Sequence, residues 1–237
     1  MKLHSRATVM NDTGSLSAAI ALMTTLIPLC VLAMLFRLPA PVPHAHGEHS
    51  SIKAVMAAVW LPGLGAALAS IGYCSILAFG SLFYAEMQWR PVWMAFSAFG
   101  AALIVARTLA GHLPDRLGGA KVALTFVIVQ AAGLLLMWLA DSAWLASAGA
   151  ALAGVGYSLV YPGLGVEAVR GTTPKNRGLA MGIYTAFLDV AMVVGSPALG
   201  WVGGHVSVAT VFLVAAVVVL CTTGVALQLL RGQRTGG

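Results

Sequence analysis

Apolar residues run along this chain in long stretches separated by short polar breaks. Seven stretches approach or exceed the roughly 20 mostly apolar residues that a helix needs to cross a hydrocarbon core of about 30 Å. They are 15–36, 54–85, 92–111, 121–140, 143–163, 178–202 and 206–230. The second would be about 48 Å long as a single helix. It holds Pro62, Gly63, Gly65 and Gly72, so it is predicted to be tilted, kinked or broken. The pattern predicts an all-α integral membrane protein of about seven transmembrane helices.

Composition reinforces this reading. Charged residues make up 8% of the chain and hydrophobic ones 59%, with a mean hydropathy of +0.92. A soluble domain carries roughly 25% charged residues. So few charges cannot cover a soluble globule, and the apolar faces need the lipid bilayer as a partner. The net charge of +6 does not point to nucleic acid, because the basic residues stand singly in short loops and form no patch or stripe. Cys30, Cys74 and Cys221 lie in separate apolar runs and read as small buried hydrophobes rather than a disulfide framework. Lys2 and Arg6 precede the first run, but 15–36 is longer than a signal h-region of about 7–15 residues, and no small-residue cleavage pattern follows it. It reads as a span.

Basic residues in the loops set an orientation. One side collects Arg37, Lys53, Arg107, Arg116, Lys121, Arg170, Lys175, Arg177, Arg231 and Arg234, the other only Lys2, Arg6 and Arg90. The richer side is expected to be cytoplasmic, with the N-terminus outside and the C-terminus inside. The organisation that follows is a tail at 1–14, a single span at 15–36, a cytoplasmic linker at 37–53, a six-helix bundle at 54–230 and a cytoplasmic tail at 231–237. The linker holds Pro39, Pro41 and Pro43 and no apolar run, as a flexible connector does. His44, His46, Glu48 and His49 have metal-ligand chemistry, but they sit in that connector with no fixed surroundings. No metal site is expected from them, and no cofactor is implied anywhere.

Between the third and fourth runs stands Gly111-His112-Leu113-Pro114-Asp115-Arg116-Leu117-Gly118-Gly119-Ala120-Lys121. The glycines permit a tight turn between two helices, Asp115 suits the positive N-terminus of a helix, and Arg116 and Lys121 anchor the turn. This loop resembles motif A of the major facilitator superfamily, with Gly111, Leu113, Asp115, Arg116 and Gly118 all in register. Gly119 and Ala120 replace two basic residues of the motif and Lys121 falls one place late, which implies a weaker charge network. Arg107 ends the third run, and Glu167 and Arg170 stand i,i+3 at the end of the fifth, spaced to pair on one helix face or to reach the interface separately. The pair resembles the E-x-x-R element that joins motif A. The stretch Arg177–Asp189, leading to Gly195, Pro197 and Gly200, resembles helix 11 of bacterial efflux permeases. From about Ser51 onward the chain is similar to the YhhS-like, arabinose-efflux-permease-like type.

The resemblance implies twelve helices in two halves that alternate access to a central site. Helix 6, an inter-half loop and helices 7–12 would account for this chain, so it is expected to be the C-terminal portion of a transporter that needs a separate N-terminal six-helix half. The expected activity is transport of a small organic solute. Gly195 and Pro197 resemble a helix-bending antiporter motif and favour proton-coupled efflux across the bacterial inner membrane. A non-transporting scaffold or split-transporter subunit is the alternative. A membrane enzyme is not expected, because neither H-E-x-x-H nor G-x-S-x-G occurs.

Asp189 is the sharpest single residue. A charge at mid-membrane costs at least about 2.5–3.5 kcal/mol, so it must face the bundle interior, pair or be protonated. Carrying the coupling proton, contacting substrate and locking helices by a buried hydrogen bond all fit. Gln130, Tyr157, Tyr161 and Tyr184 are the other polar groups deep in spans, and they either line a cavity or tie helices together. Ser147 with Ala151, Gly149 with Ala153 and Gly200 with Gly204 are small pairs four apart, expected to let helices approach closely.

Overall fold

The computed structural model describes residues 52–235. Among them are seven α-helices: α1 (Ile52–Glu86), α2 (Met94–Ala110), the short α3 (Leu113–Leu117), α4 (Gly119–Trp138), α5 (Ala143–Arg170), α6 (Arg177–His205) and α7 (Val208–Thr235). A 3-10 turn at Pro174–Asn176 leads into α6. The helices α1, α4, α5, α6 and α7 are long and apolar enough to cross a membrane. The 17 residues of α2 are apolar but shorter, about 26 Å at 1.5 Å per residue. The expected span at 15–36 and the linker up to residue 51, with its histidine cluster, lie outside the described residues, while Ile52 and Lys53, expected in the linker, already belong to α1.

The boundaries differ from the apolar runs in instructive ways. Pro62, Gly63, Gly65 and Gly72 do not break α1, which runs unbroken for 35 residues. All four are buried, and the glycines are points where other helices touch. A Cβ on Gly63 would lie 2.8 Å from the Phe187 ring of α6, one on Gly65 3.0 Å from Val225 of α7, and one on Gly72 2.6 Å from the Gln130 amide of α4. These glycines read as breakers in the sequence, and their use is contact. Likewise α5 continues through Pro162 and Gly163 to Arg170. In a membrane bundle, neighbouring helices make an internal proline tolerable.

Packing follows the small residues. The closest pair is α4 with α5, where Gly133, Gly149 and Gly156 remove the side chains between two backbones. An added Cβ would lie 2.3 Å from the Ala153 nitrogen at Gly133, 2.8 Å from the Gly133 oxygen at Gly149 and 2.4 Å from the Gln130 nitrogen at Gly156. On its other sides α5 meets α1 and α2, while α1 meets α6 and α7. Thus α1 and α5 are central, whereas α2 rests mainly on α5 and α6 mainly on α1. The pair Gly200 and Gly204 is not part of a tight seam, since a Cβ on Gly204 would meet nothing within 4 Å. At the end of α1, the Tyr84 hydroxyl donates to the Ala143 carbonyl at 2.5 Å and meets the Ser147 hydroxyl at 2.6 Å.

This packing separates the glycines by function. Gly133→Val and Gly156→Val should each destabilise the bundle by about 2 kcal/mol or more, since overpacking a tight interior typically costs 1–3. Gly224→Ala, whose Cβ would meet open space, should be neutral or stabilising by about 0.5–1 kcal/mol. Unfolding of the three variants in detergent, followed by circular dichroism, checks this. Equal stability across them would refute the tight seam.

Candidate functional site

The loop between α2 and α4 is built by two adjacent glycines with different tasks. Gly118 has φ +93°, which favours glycine, and its N–H donates to the Pro114 carbonyl at 3.1 Å. Gly119 lies in a close helix crossing, where an added Cβ would sit 2.1 Å from the Gly163 oxygen of α5. Gly111 keeps ordinary helical backbone angles. Within the loop, Leu113–Leu117 winds into α3, with Pro114 buried and Asp115 exposed.

That crossing brings Glu167 of α5 to the start of α4. Its Oε1 accepts the Ala120 N–H at 3.1 Å. The residue before α4, Gly118, offers no side-chain cap, so Glu167 supplies the cap from a neighbouring helix. A carboxylate there also suits the positive end of the helix dipole. Its other oxygen stands 3.9 Å from Arg170, an i,i+3 contact between a side chain 5% exposed and one 62% exposed. The spacing therefore does put Glu167 and Arg170 together, while the other carboxylate oxygen accepts a backbone N–H.

Beside this crossing opens a cavity of about 610 Å³ lined by Arg107 of α2, Asp115 of α3, Tyr161 and Arg170 of α5, and Arg177, Met181 and Tyr184 of α6, with Pro162, Gly165, Val166 and Val169. On α5, Tyr161, Gly165 and Val169 recur every four residues and present one face to it. The Tyr184 hydroxyl donates to the Tyr161 carbonyl at 2.6 Å, and the two rings lie 5.4 Å apart. One turn further along α5, Tyr157 stacks on Tyr73 at 4.9 Å and meets the Ser70 hydroxyl at 3.2 Å.

The residues singled out in the sequence thus fall into groups. Arg107, Asp115, Arg170, Tyr161 and Tyr184 share the cavity, with Tyr157 one turn beyond. Gln130 lies elsewhere, 1% exposed, donating to the Ala69 carbonyl at 2.9 Å; it ties α4 to α1. Tyr184 is buried, and it both lines the cavity and ties α6 to α5. Arg116 and Lys121 are exposed, as is Asp189. On α6, Gly182, Thr185, Ala186, Asp189, Val190 and Val193 are all exposed, a face repeating every three or four residues. Gly195 is buried on the opposite side, where an added Cβ would lie 2.3 Å from Ile71 of α1. The next residue, Ser196, places its hydroxyl 2.8 Å from the Cys74 sulfur, and α6 continues as helix through Pro197. Gly200 is half-buried near Phe79. Arg177 and Met181 were not singled out as site residues. The signal for Arg177 was a basic residue flush with a helix start; Met181 follows one turn later on the same face.

An all-helical bundle with paired basic and acidic groups at one end defines a class, the polytopic helical membrane proteins. The particular family comes from comparison. Residues 84–235 match the model of the Major Facilitator Superfamily, and the chain belongs to that family. It is 39% identical over 201 residues to an uncharacterized MFS-type transporter of Pseudomonas aeruginosa, covering 85% of this chain and 50% of that protein. A similar transporter of Salmonella typhimurium is 37% identical over 211 residues, 89% of this chain and 54% of the relative. One of Burkholderia mallei is 39% identical over 220 residues, with 90% and 54% covered. The chain spans about half the length of these curated relatives. A crystal structure of a mutant of the peptide transporter POT superposes with a TM-score of 0.64 at 15% identity, over 76% of this chain and 42% of that one. At that identity the likeness is one of fold.

The cap at α4 is testable in isolation. Glu167→Leu should destabilise the bundle by about 1.5–3 kcal/mol, the usual scale for a hydrogen bond to a charged group. Glu167→Gln, which keeps an acceptor oxygen, should cost less than Glu167→Leu. Thermal unfolding in detergent reads both. Equal loss in the two variants would show that the carboxamide oxygen cannot replace the cap.

Proposed function

We propose that this chain is the helix 6–12 portion of a secondary transporter that moves a small organic solute across the bacterial inner membrane by proton-coupled efflux, with helices 1–5 completing its N-terminal half. The observation that carries the reading is the exposed face of α6. Asp189 stands near the middle of a 29-residue helix and is exposed on the bundle surface. Left against hydrocarbon, the carboxylate costs at least about 2.5–3.5 kcal/mol. A second half placed over this face gives it a polar or aqueous environment. Family membership and relatives about twice as long support the same arrangement.

On this reading the end bearing Arg107, Arg116, Arg170 and Arg177 is cytoplasmic. The motif A loop at Asp115 and the start of α6 serve as the gate there, and the cavity at that end is part of the solute path. The lipid bilayer and a small-molecule solute are its partners, and transport rather than enzymatic chemistry is its role. The half-length coverage also favours a second reading, a split-transporter subunit whose other half is a separate chain. Co-purification with a separately encoded partner carrying helices 1–5 selects that reading, and a single longer polypeptide selects the first.

Two outcomes check the proposal. Reporter fusions after Arg116 and after Lys175 should both report cytoplasm; a periplasmic signal from either overturns the orientation. In a complete transporter made by restoring the N-terminal helices, Asp189→Asn should abolish gradient-driven transport while expression and solute binding persist. Full gradient-driven transport by the Asn variant would exclude Asp189 as the proton carrier.

A further inference from the structure

Resting on the transport reading, we infer that the cavity between α2, α5 and α6 selects an organic anion, a carboxylate or phosphate head on an apolar or aromatic body. Three arginines from three helices, Arg107, Arg170 and Arg177, line a space of about 610 Å³, well within the 300–1,000 Å³ range of small-molecule sites. A single acid, Asp115, shares the lining. The nearest other carboxylate, Glu167, is committed to the Ala120 N–H and lies 3.9 Å from Arg170. The lining therefore carries an excess of positive charge with hydrogen-bond donors to spare.

The backbone adds to this excess. At its start beside the cavity, α6 has no side-chain cap and no acidic residue in its first turn. The positive end of its dipole is thus unopposed from within the helix. The arginine fork matches carboxylate and phosphate oxygens two at a time. The rest of the lining is different in kind. Tyr161, Tyr184, Met181 and Val169 form an apolar and aromatic surface, and the Tyr184 hydroxyl is already spent on the Tyr161 carbonyl. Arginines and apolar side chains lining one cavity fit an amphiphilic anion and repel an organic cation of the same shape.

A soluble solute and an anionic lipid head group share this chemistry, and the test separates them. The full chain is placed in nanodiscs of phosphatidylcholine and titrated calorimetrically with phenyl phosphate, benzyl alcohol and benzylamine. The inference expects saturable binding of phenyl phosphate, at least tenfold weaker binding of the other two, and at least a tenfold loss of phenyl phosphate affinity in Arg107→Gln and Arg177→Gln. Both side chains are exposed, so the variants should keep the wild-type circular dichroism. Lys175→Gln, which removes a nearby charge outside the lining, should leave affinity unchanged. If phenyl phosphate binds only after phosphatidylglycerol is omitted, and phosphatidylglycerol raises the unfolding temperature only while both arginines are present, the anion site stands and its occupant is the lipid. Equal binding of the neutral and anionic probes, no anion binding in either lipid, or affinity indifferent to both arginine changes overturns the inference. Because the titration uses no gradient, failure here with intact flux removes only the anion assignment, and failed flux with intact binding removes only the transport reading.

Discussion

At the start of α4 the backbone lies against α5 with no side chain between them, and the charged end of the bundle depends on that contact. Gly119 admits the Gly163 carbonyl where any Cβ would collide with it. The closeness brings the Ala120 N–H within reach of Glu167. A buried carboxylate is costly unless it is paired and hydrogen-bonded, and here a helix N-terminus provides the bond. The same crossing fixes the level at which Gly118 turns the chain, and so where α3 carries Asp115 to the rim occupied by Arg107 and Arg170. Loop, cap and cavity are therefore consequences of one approach of two backbones.

The rest of the bundle divides into a tightly joined centre and two lightly held edges. In lipid, helices associate through close packing and polar contacts rather than a hydrophobic drive. The glycine seam of α4 with α5 satisfies this, as does α1, whose glycines receive Phe187, Val225 and Gln130. By contrast α2 has Ala95 and Phe99 as its only buried residues, and α6 has four, Ala180, Tyr184, Gly195 and Leu199. Each edge helix has one covered face and one open face, and the open face of α6 carries Asp189. The cavity lies against both edges, since Arg107 comes from α2 and Arg177 from α6.

Much of this was legible in the amino-acid order. Run length and scarce charge gave the membrane helices, because lipid imposes a length that a sequence cannot disguise. The spacing of Gly111 through Lys121 marked the tight loop between α2 and α4, and the i,i+3 spacing of Glu167 and Arg170 marked their contact. Other features were not legible, for reasons of physics. Glycines in α1 look the same whether they break a helix or receive a neighbour, and only the third dimension decides. Glu167 binds a backbone N–H 47 positions away, which no local pattern encodes. Polar residues deep in spans look alike in sequence, yet Gln130 is a tie, Tyr161 lines a cavity and Asp189 faces outward. Helical phase relative to neighbours separates them.

The Gly119 crossing and the Glu167 cap act as one interaction. Unfolding stability in a double-mutant cycle of Gly119→Ala, Glu167→Leu and the pair is the decisive measurement, because Leu removes the acceptor altogether. If a methyl at 119 already forces the helices apart and breaks the cap, the second change has little left to remove. The expected coupling energy is about 1 kcal/mol or more, in the range found for residues sharing one network. Additive losses, with coupling below about 0.3 kcal/mol, would contradict it.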